Sequence, residues 1–364
     1  MNDLSACRTA ALGGTVWECS ACGQLEYRYR SCGNRHCPKC QGGCRAAWLE
    51  REAGYLLPVE YHHVVFTLPQ PLAELARHNP RLVYGLLFEA ASAAVQELAA
   101  DPKQLGAQVG LVAVLHTWGQ TLTLHPHLHV LATGGGLTCD RAGRVLEPAG
   151  WRSCRPGFFL PVVPLSRLYR GKFLDGLRQA RADGKLRFAG SVAELADGRA
   201  WAQWLAGLYR EDWVVYSQPP CAGAEVVLAY LARYTYRVAL SNSRLVRVSN
   251  EEVTFTYKDY RKEGQTRELT LEAEEFARRF LQHVLPRGFV RIRHYGLLAN
   301  RGRDEKLRLC RRLLLAEPVR PAVKVVQPLE PWVCPGCGQD KMRLVELLGR
   351  DEMAEEEPAW EDSS

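Results

Sequence analysis

Three histidines occupy alternate positions in the segment LHPHLHVLATGGG, residues 124–136. Successive side chains of a β-strand point to opposite faces, so His127 and His129 share one face and Leu128 faces the core behind them. Neutral imidazole is a common ligand for divalent metal ions. Two such ligands on a rigid strand make an incomplete metal site, and a third ligand is needed.

A β-hairpin would supply the third ligand. Two segments have strand composition and are separated by WGQTLTLHP, namely VGLVAVLHT (109–117) and HLHVLAT (127–133). If these strands pair, His116 falls opposite His127 on the same face. His116 is therefore the first choice for the third ligand, with His125 and Gln120 as alternatives. The competing interpretation is that the histidines are polar strand residues that face solvent.

Three imidazoles leave a divalent ion with its full charge and with open positions, which suits binding a phosphate and polarising it for attack. That attack requires a nucleophile. Tyr230 and Tyr234 are four residues apart in AEVVLAYLARYTYR (224–237), whose composition predicts a helix, so both hydroxyls share one face. A phenol has a pKa of about 10 and needs a metal ion or a base to remove its proton. The alternative is that the two rings only pack a helix face.

Basic and phenolic residues surround the two tyrosines. Arg233, Arg237 and Arg244 could hold the phosphates of DNA. Tyr236 lies close to the pair and is the next candidate nucleophile if neither member of the pair reacts.

The N-terminal 50 residues contain two C-x2-C pairs separated by fourteen residues, Cys19 with Cys22 and Cys37 with Cys40. Each pair can bind one side of a tetrahedral Zn2+, so the spacing predicts one structural zinc site with four thiolates. A closed site of this kind has no open position for catalysis. Its role would be to fold the N-terminal domain and to present basic residues to nucleic acid.

Other potential zinc ligands have less definite roles. Cys32, His36 and Cys44 are spare donors that could replace one of the four predicted ligands. Near the other end of the chain, CPGCG (334–338) is a lone pair whose partner ligands are not evident in the sequence. It is a weak indication of a second zinc site.

Strand and helix patterns alternate through the middle of the chain, which indicates an α+β or α/β fold. Strands are expected at 61–69, 109–117, 127–133, 158–164 and 213–216, and helices at 72–100, 166–181, 191–209 and 224–237. A hairpin is expected over 244–259, and Gly134-Gly135-Gly136 is expected to end the histidine strand. No internal repeat is evident.

Length and composition place the chain among globular proteins of two or three domains, since it has 364 residues and 47% hydrophobic residues. No continuous apolar run approaches the roughly 18 residues of a membrane span, and early charge argues against a signal peptide. These features predict a cytoplasmic protein. In that compartment the thirteen cysteines are expected to be thiols or metal ligands rather than disulfides.

Charge is distributed unevenly around the formal net value of +7. The segment from Arg287 to Arg320 has ten basic and three acidic residues, whereas 351–364 has seven acidic residues and no basic ones. A basic segment beside an acidic tail favours a polyanionic partner. A solvated helix face is the simpler interpretation of the same charges.

Extended motifs in this sequence resemble the two-tyrosine HUH rolling-circle transposases of the insertion sequence 91 family. The strings that carry the resemblance are SCGNRHCPKCQ, WLEREAGYLLPVEYHHVVFTLP, LHTWGQTLTLHPHLHVLATGGGL and YLARYTYRVALSNSRL. The resemblance covers nearly the whole chain. It implies an α+β fold, in which an HUH endonuclease domain with a central antiparallel sheet flanked by helices follows a small zinc-binding domain. The expected boundaries are 1–58 for the zinc-binding domain, 59–286 for the catalytic domain and 287–364 for a basic segment with the lone knuckle and the acidic tail.

The resemblance also implies an activity, namely cleavage of single-stranded DNA and strand transfer through a 5′-phosphotyrosine with Mg2+ or Mn2+ at the histidine site. Carried over residue by residue, His127 and His129 are metal ligands, and Tyr230 and Tyr234 are nucleophiles. The implied partners are single-stranded transposon ends and target DNA. No nucleotide cofactor is expected, because the ester retains the bond energy and the sequence has no Walker-type glycine loop.

Three other functions compete with this interpretation. A replication initiator or relaxase would share the histidine and tyrosine chemistry, although the cysteine-rich head and the missing helicase region favour the transposase. A zinc-dependent DNA-binding protein would not cleave DNA. A metallohydrolase that activates water would form no covalent adduct with DNA.

Overall fold

The computed structural model describes residues 6–34, 37, 40, 48–218, 239–315 and 333–349. The chain divides into two compact units. The smaller unit combines Met1–Gly54 with Val319–Ser364, and the larger unit is Tyr55–Pro318. The predicted third segment, 287–364, is therefore shared between the two units rather than separate.

The smaller unit contains a three-stranded antiparallel sheet built from both ends of the chain. Its strands are β1 (Gly14–Cys19), β2 (Leu25–Tyr29) and β12 (Met342–Leu348). The order is β12-β1-β2, so the C-terminal strand pairs directly with the first strand. This pairing explains why the division at residue 287 is wrong: the knuckle at 334–338 leads into a strand that completes the N-terminal sheet.

The larger unit contains nine strands and six helices among its described residues. The strands are β3 (Tyr61–Thr67), β4 (Ala107–Trp118), β5 (Leu124–Thr138), β6 (Trp151–Ser153), β7 (Val215–Ser217), β8 (Leu245–Val248), β9 (Glu252–Asp259), β10 (Gln265–Glu272) and β11 (Ile292–Gly296). The helices are α1 (Pro71–His78), α2 (Pro80–Ala100), α3 (Val162–Ala182), α4 (Gly198–Arg210), α5 (Ala273–Leu281) and α6 (Arg303–Leu313). The α+β class predicted from the sequence is confirmed.

The central sheet has the order β11-β4-β5-β3-β7, with β6 paired to β5, and all of its pairs are antiparallel. One face of this sheet packs against helices α1 to α4 in a single apolar core. Residues from three adjacent strands contribute to that core, including Leu115, Leu128 and Phe66. The histidines of β5 alternate with these residues and therefore lie on the opposite face.

A second sheet of order β10-β9-β8 packs with α5 around the turn between β4 and β5. Leu122 in that turn and Phe255 in β9 are fully buried in the small cluster that joins them. The predicted hairpin at 244–259 is confirmed as β8 and β9. The second sheet thus fixes the end of the hairpin that carries the histidines.

Helix α2 is apolar on most of its surface, and twelve of its residues are buried. By length and composition it could cross a membrane. The sequence does not show it as an uninterrupted apolar run, because Arg81 and Glu89 lie within it. In the most apolar 18-residue stretch of this helix, 61% is buried inside the protein. Helix α2 is therefore the core helix of this unit.

Two local predictions differ from the structure. The predicted strand at 158–164 is absent, since α3 begins at Val162 directly after Pro161, whose φ of −66° and missing N–H suit a helix start. The predicted helix over 191–209 begins later, at Gly198. Asp197 accepts hydrogen bonds from two backbone N–H groups there and caps α4.

The three consecutive glycines do not end β5, which continues to Thr138. They allow neighbouring backbone to approach closely: a Cβ at Gly134 would lie 2.7 Å from the carbonyl oxygen of Glu60, and one at Gly136 would collide with the carbonyl of Gln108. The prediction of a strand end was wrong because glycine in a strand also marks close backbone contact.

Substitution of Gly134 by alanine should lower the free energy of unfolding by about 1–3 kcal/mol, because the new methyl group has no space between the strands. Gly171→Ala is the matched control. It lies inside α3 with nothing within 4 Å of the added carbon, so it should raise stability by about 0.5–1 kcal/mol. Urea unfolding of both variants measures the difference. Equal stabilities would contradict the close approach at Gly134.

Candidate metal centre

The hairpin formed by β4 and β5 brings three histidines together. His116 is the direct cross-strand partner of His127, which confirms the predicted register. His129 follows on the same face, opposite Val114. One potential ligand atom from each of His116, His127 and His129 lies within 4.8 Å of the others. This spacing allows one metal ion to contact all three side chains.

The three imidazole rings surround a common point. The ring centroids of His116 and His129 are 4.3 Å apart, those of His127 and His129 are 4.9 Å apart, and those of His116 and His127 are 5.4 Å apart. His116 is only 2% exposed and stacks on Trp118, whereas the other two rings are half-buried. The cluster therefore has one buried side and one side open to a ligand.

Hydrogen bonding fixes which nitrogen of His127 is available. Its Nδ1 lies 2.7 Å from the carbonyl oxygen of His125. A carbonyl oxygen only accepts, so Nδ1 carries the proton and donates. In the neutral ring this leaves the lone pair on Nε2 for a metal ion.

His129 is oriented by a chain of two side chains. Its Nδ1 lies 2.8 Å from Nε2 of His63, whose Nδ1 lies 3.1 Å from Oε1 of Gln218. Because that amide oxygen only accepts, His63 Nδ1 donates to it and His63 Nε2 accepts from His129. His129 therefore also has its lone pair on Nε2. Such outer hydrogen bonds are the usual means of orienting metal ligands.

Sequence reasoning assigned no role to His63. Strand β3 pairs with β5 so that Val65 is opposite His129, which puts His63 on the histidine face and the adjacent His62 on the core face. His62 stacks on Phe159 there. The only available signal was the histidine pair in YHHVVFTLP, which becomes informative once the register of β3 is known.

Burial keeps the imidazoles neutral. It lowers the pKa of His127 to about 4 and the pKa of His116 and His129 well below the ordinary value, and the neighbouring imidazoles lower them further. Burial also lowers the pKa of His63, although its hydrogen bond to Gln218 opposes this shift. Neutral imidazole is the form that binds metal ions, so protons do not compete strongly for this site near neutral pH.

The two alternative third ligands lie beside the cluster rather than within it. The side-chain oxygen of Gln120 accepts a hydrogen bond from the backbone N–H of Lys258 at 3.3 Å. His125 is half-buried, with its ring centroid 5.3 Å from that of His127, and the cluster of mutually close ligand atoms contains His116 instead. The geometry thus favours His116.

The histidines form one wall of a cavity of about 1030 Å³. The other walls come from the β4–β5 turn, from residues 239–241 and from the second sheet; they include Trp118, Ser241, Arg244, Tyr257, Lys258, Asp259 and Tyr260. A cavity of this size accommodates far more than an ion. Its lining combines the histidines with basic, hydroxyl and apolar side chains, which suits a large substrate with both charged and apolar parts.

Arg244, a predicted DNA-binding residue, lies in the wall of the same cavity as the three histidines. Its Nε donates to the carbonyl of Thr256 and its Nη2 to the carbonyl of Gln120, both at 2.6 Å. These bonds tie the second sheet to the β4–β5 turn. Contact of Arg244 with DNA phosphates stays a prediction. The exposed Lys258, which the sequence did not single out, is a second cation at the same cavity.

The predicted nucleophiles Tyr230 and Tyr234 lie outside the described residues, as do Arg233, Arg237 and Tyr236. The structure does describe the residues that flank this segment, Gln218 and Ala239. Gln218 contacts His63, and Ala239 lines the cavity. The described residues on either side of 219–238 are therefore close to the histidine site.

The donor set restricts which metal ions fit. The cluster consists of three imidazole nitrogens, and the remaining positions would be filled by oxygen from water or phosphate. Mg2+ strongly prefers oxygen, whereas Mn2+ is a transition metal that also accepts nitrogen. The three nitrogen ligands therefore fit Mn2+ better than Mg2+, and Mn2+ should bind more tightly to the protein alone.

The cysteines of the smaller unit form two clusters instead of one predicted site. Cys37 and Cys40 join Cys7 and Cys32, whereas Cys19 and Cys22 join Cys334 and Cys337. The predicted set of Cys19, Cys22, Cys37 and Cys40 is therefore wrong as a single site. Spacing of fourteen residues permits the two pairs to meet, but the β1–β2 hairpin directs the first pair toward the C-terminal strand.

The cluster of Cys7, Cys32, Cys37 and Cys40 has the geometry of a structural zinc site. Sγ of Cys40 lies 3.4 Å from Sγ of Cys7 and 3.7 Å from that of Cys32. A tetrahedral ion with Zn–S bonds of about 2.3 Å places its sulfurs about 3.8 Å apart. Backbone N–H groups also point at these sulfurs, as Cys32 donates to Cys7 Sγ and Asn34 donates to Cys32 Sγ. The spare donor Cys32 thus proves to be a member of the cluster, while His36 and Cys44 lie outside the described residues.

Comparison with known proteins identifies related chains. Residues 110–306, more than half of the chain, match a family model described as "Putative transposase", and residues 1–68 match one described as "Transposase zinc-binding domain". No solved structure matches the chain significantly.

Two named relatives align along almost the whole length. The protein "Putative transposase y4qJ" of Sinorhizobium fredii (strain NBRC 101917 / NGR234) is 45% identical over 359 residues, covering 96% of this chain and 88% of the relative. The "Transposase for insertion sequence element IS801" of Pseudomonas savastanoi pv. phaseolicola is 27% identical over 357 residues, covering 95% and 83%.

Removal of the His63 side chain should weaken Mn2+ binding about 10–100-fold, because His129 loses the acceptor that fixes its tautomer. Isothermal titration with Mn2+ measures this effect. His63→Gln should restore part of the affinity, since an amide oxygen can accept from His129 Nδ1. His62→Ala is the matched control, since it removes the adjacent imidazole on the core face and should lower stability without changing Mn2+ affinity. Equal affinities for His63→Ala and His62→Ala would refute the orienting role.

Proposed function

Because this chain belongs to the insertion sequence 91 family of transposases, we propose that it cleaves single-stranded DNA and transfers strands through a 5′-phosphotyrosine intermediate. In this proposal Tyr230 and Tyr234 are the nucleophiles. His116, His127 and His129 hold a divalent ion, Mg2+ or Mn2+. The larger unit then acts as an HUH endonuclease domain.

The observation that carries this proposal is the convergence of three neutral imidazoles on one wall of a large cavity that also contains Arg244 and Lys258. These rings lie on the sheet face opposite helices α1 to α4, and they line the cavity. The ion would polarise a phosphodiester and neutralise developing negative charge. The imidazoles hold it from one side and leave room for phosphate oxygens on the other.

The position of the described flanking residues supports a role for the tyrosines. Gln218 precedes their segment and bonds to His63, while Ala239 and Ser241 follow it and line the cavity. Only twenty residues, 219–238, connect these two points, and they include both predicted nucleophiles. In this proposal a phenol from the residues between Gln218 and Ala239 reaches the bound phosphate.

The chemical step conserves the number of phosphate ester bonds. The phenol oxygen attacks phosphorus and its proton passes to solvent; the bond to the 3′ oxygen breaks, and that oxygen takes up a proton to become a 3′-hydroxyl. The 5′ end stays attached to tyrosine. Attack by a 3′-hydroxyl on the phosphotyrosine reverses the exchange, so strand transfer needs no nucleotide cofactor.

Cationic residues at the cavity account for binding of the DNA backbone in this proposal. Lys258 lies in the cavity wall, and Arg244 is positioned beside it. Arg233 and Arg237 belong to the tyrosine segment. Phosphate contacts position a nucleic acid without reading its sequence, so binding by these residues would be independent of cleavage.

Replacing both Tyr230 and Tyr234 by phenylalanine should abolish the covalent adduct, because it removes both attacking oxygens and keeps the rings. The assay incubates end-labelled single-stranded DNA with protein and Mn2+ and detects label that stays with denatured protein. Tyr257→Phe is the matched control, since Tyr257 also lines the cavity and its loss should leave the adduct unchanged. An adduct that persists in the double variant would move the nucleophile elsewhere, with Tyr236 the next residue to test.

His127→Ala should abolish cleavage while binding of single-stranded DNA stays within about twofold of wild type, because phosphate contacts by basic residues supply most of the affinity. Cleavage and fluorescence anisotropy on the same oligonucleotide separate the two effects. Cleavage at the wild-type rate would refute the metal role. Cleavage without an adduct in the wild-type protein would indicate a hydrolase that activates water, and binding without cleavage would indicate a DNA-binding protein.

A further inference from the structure

A six-residue pattern occurs twice in the smaller unit, once near each end of the chain. CSACGQ spans 19–24 and CPGCGQ spans 334–339, so both have the form C-x2-C-G-Q. The repeat is short and its copies are 315 residues apart, which is why it is not evident as an internal repeat in the sequence. In the structure the two copies face each other.

The two copies form the same backbone turn. In the first, Gly23 N–H donates to the Cys19 carbonyl at 2.8 Å and Cys19 N–H donates to the Gln24 carbonyl at 2.9 Å. In the second, the corresponding bonds of Gly338, Cys334 and Gln339 are both 2.8 Å. The glycine φ values, 74° and 72°, lie in the left-handed region that favours glycine.

The repeated turn places four sulfurs around one point. Cys19 Sγ lies 3.7 Å from Cys337 Sγ, and Cys22 Sγ lies 3.6 Å from Cys334 Sγ. These separations are far longer than a disulfide bond of about 2.05 Å. They match the edge of about 3.8 Å expected for four thiolates around Zn2+.

The sulfur of Cys19 accepts hydrogen bonds from backbone N–H groups within its own turn. The donors are the N–H groups of Ala21 and Cys22. Cys19 and Cys334 are each 1% exposed, whereas Cys22 and Cys337 lie at the surface. The cluster is thus anchored in the unit on one side and accessible to an incoming ion on the other.

The strands next to the cluster, β1 and β12, pair directly with each other. Strand β12 pairs with β1 from Gly14–Leu348 to Cys19–Met342, and Arg343 forms a salt bridge of 2.6 Å with Glu18. Ser20 N–H and its hydroxyl both reach the carbonyl of Lys341, just beyond the last strand pair. The C-terminal knuckle is therefore built into the N-terminal sheet.

We propose that Cys19, Cys22, Cys334 and Cys337 bind one structural Zn2+, distinct from the Cys7 cluster, so that each chain holds two zinc ions in the smaller unit. The zinc-binding domain is then discontinuous: it needs residues 333–349 as well as the N-terminal region. The ion joins two segments that are separated by more than 300 residues. Loss of this zinc ion would remove the metal link between the two segments and would leave the Cys7 cluster intact.

The zinc content of the full-length protein tests this proposal. Wild type saturated with zinc and then dialysed should contain two cysteine-bound ions per chain, and the variant with Cys334→Ser and Cys337→Ser should contain one. Any zinc held by His116, His127 and His129 adds equally to both. Cys337→His should retain two, because histidine can replace one thiolate in a structural zinc site. Cys154→Ser is the matched control and should also retain two, since among the described cysteines Cys154 lies outside both clusters.

X-ray absorption at the zinc edge of the wild-type protein gives a readout that does not depend on the folding of a variant. Two zinc ions with four sulfur neighbours each support the proposal. Fewer than eight Zn–S bonds per chain in the wild type would overturn it, whether or not the three histidines also hold zinc. Two disulfides among these four cysteines would overturn it as well. Mass spectrometry of fresh protein would show them as a loss of four hydrogen atoms per chain, two for each disulfide, with no zinc at this cluster.

Discussion

The register between β4 and β5 is the constraint on which the candidate site depends. It places Leu115 opposite Leu128 on the core face and His116 opposite His127 on the other face. A slip of one residue would send the imidazoles into the apolar core and expose the leucines, so burial of the core enforces the register. The hydrophobic effect thus positions the polar ligands, although they take no part in the core.

Contacts at both ends of the hairpin secure this register. At one end, glycines such as Gly134 let β3 and its preceding residue approach the backbone of β5. At the other end, His283 links β4 to the β4–β5 turn through Thr117 and the carbonyl of Leu122, while Arg244 holds the carbonyl of Gln120 in the same turn. The candidate metal centre therefore lies on a strand pair that is held in register at both ends.

Local patterns in the sequence were sufficient to predict the features that depend on neighbouring residues. The pairing of His116 with His127 followed from one short hairpin, and the β8–β9 hairpin followed from its polar turn. Features that depend on distant pairing could not be predicted. His63 gains its role from the register of β3, and Cys19 gains its partners from a strand more than 300 residues away. C-x2-C spacing predicts two metal ligands but not the second pair that completes the site. The prediction that the nearest C-x2-C pair completes it was therefore wrong.

Anomalous diffraction from crystals soaked with Mn2+, recorded at the manganese absorption edge, tests the central claim most directly. The account predicts one strong peak in the larger unit, bonded to Nε2 of His127, to Nε2 of His129 and to a ring nitrogen of His116. The peak should disappear in crystals of His127→Ala. A manganese peak bonded to carboxylates elsewhere in the cavity, with the three imidazoles uncoordinated, would contradict the account.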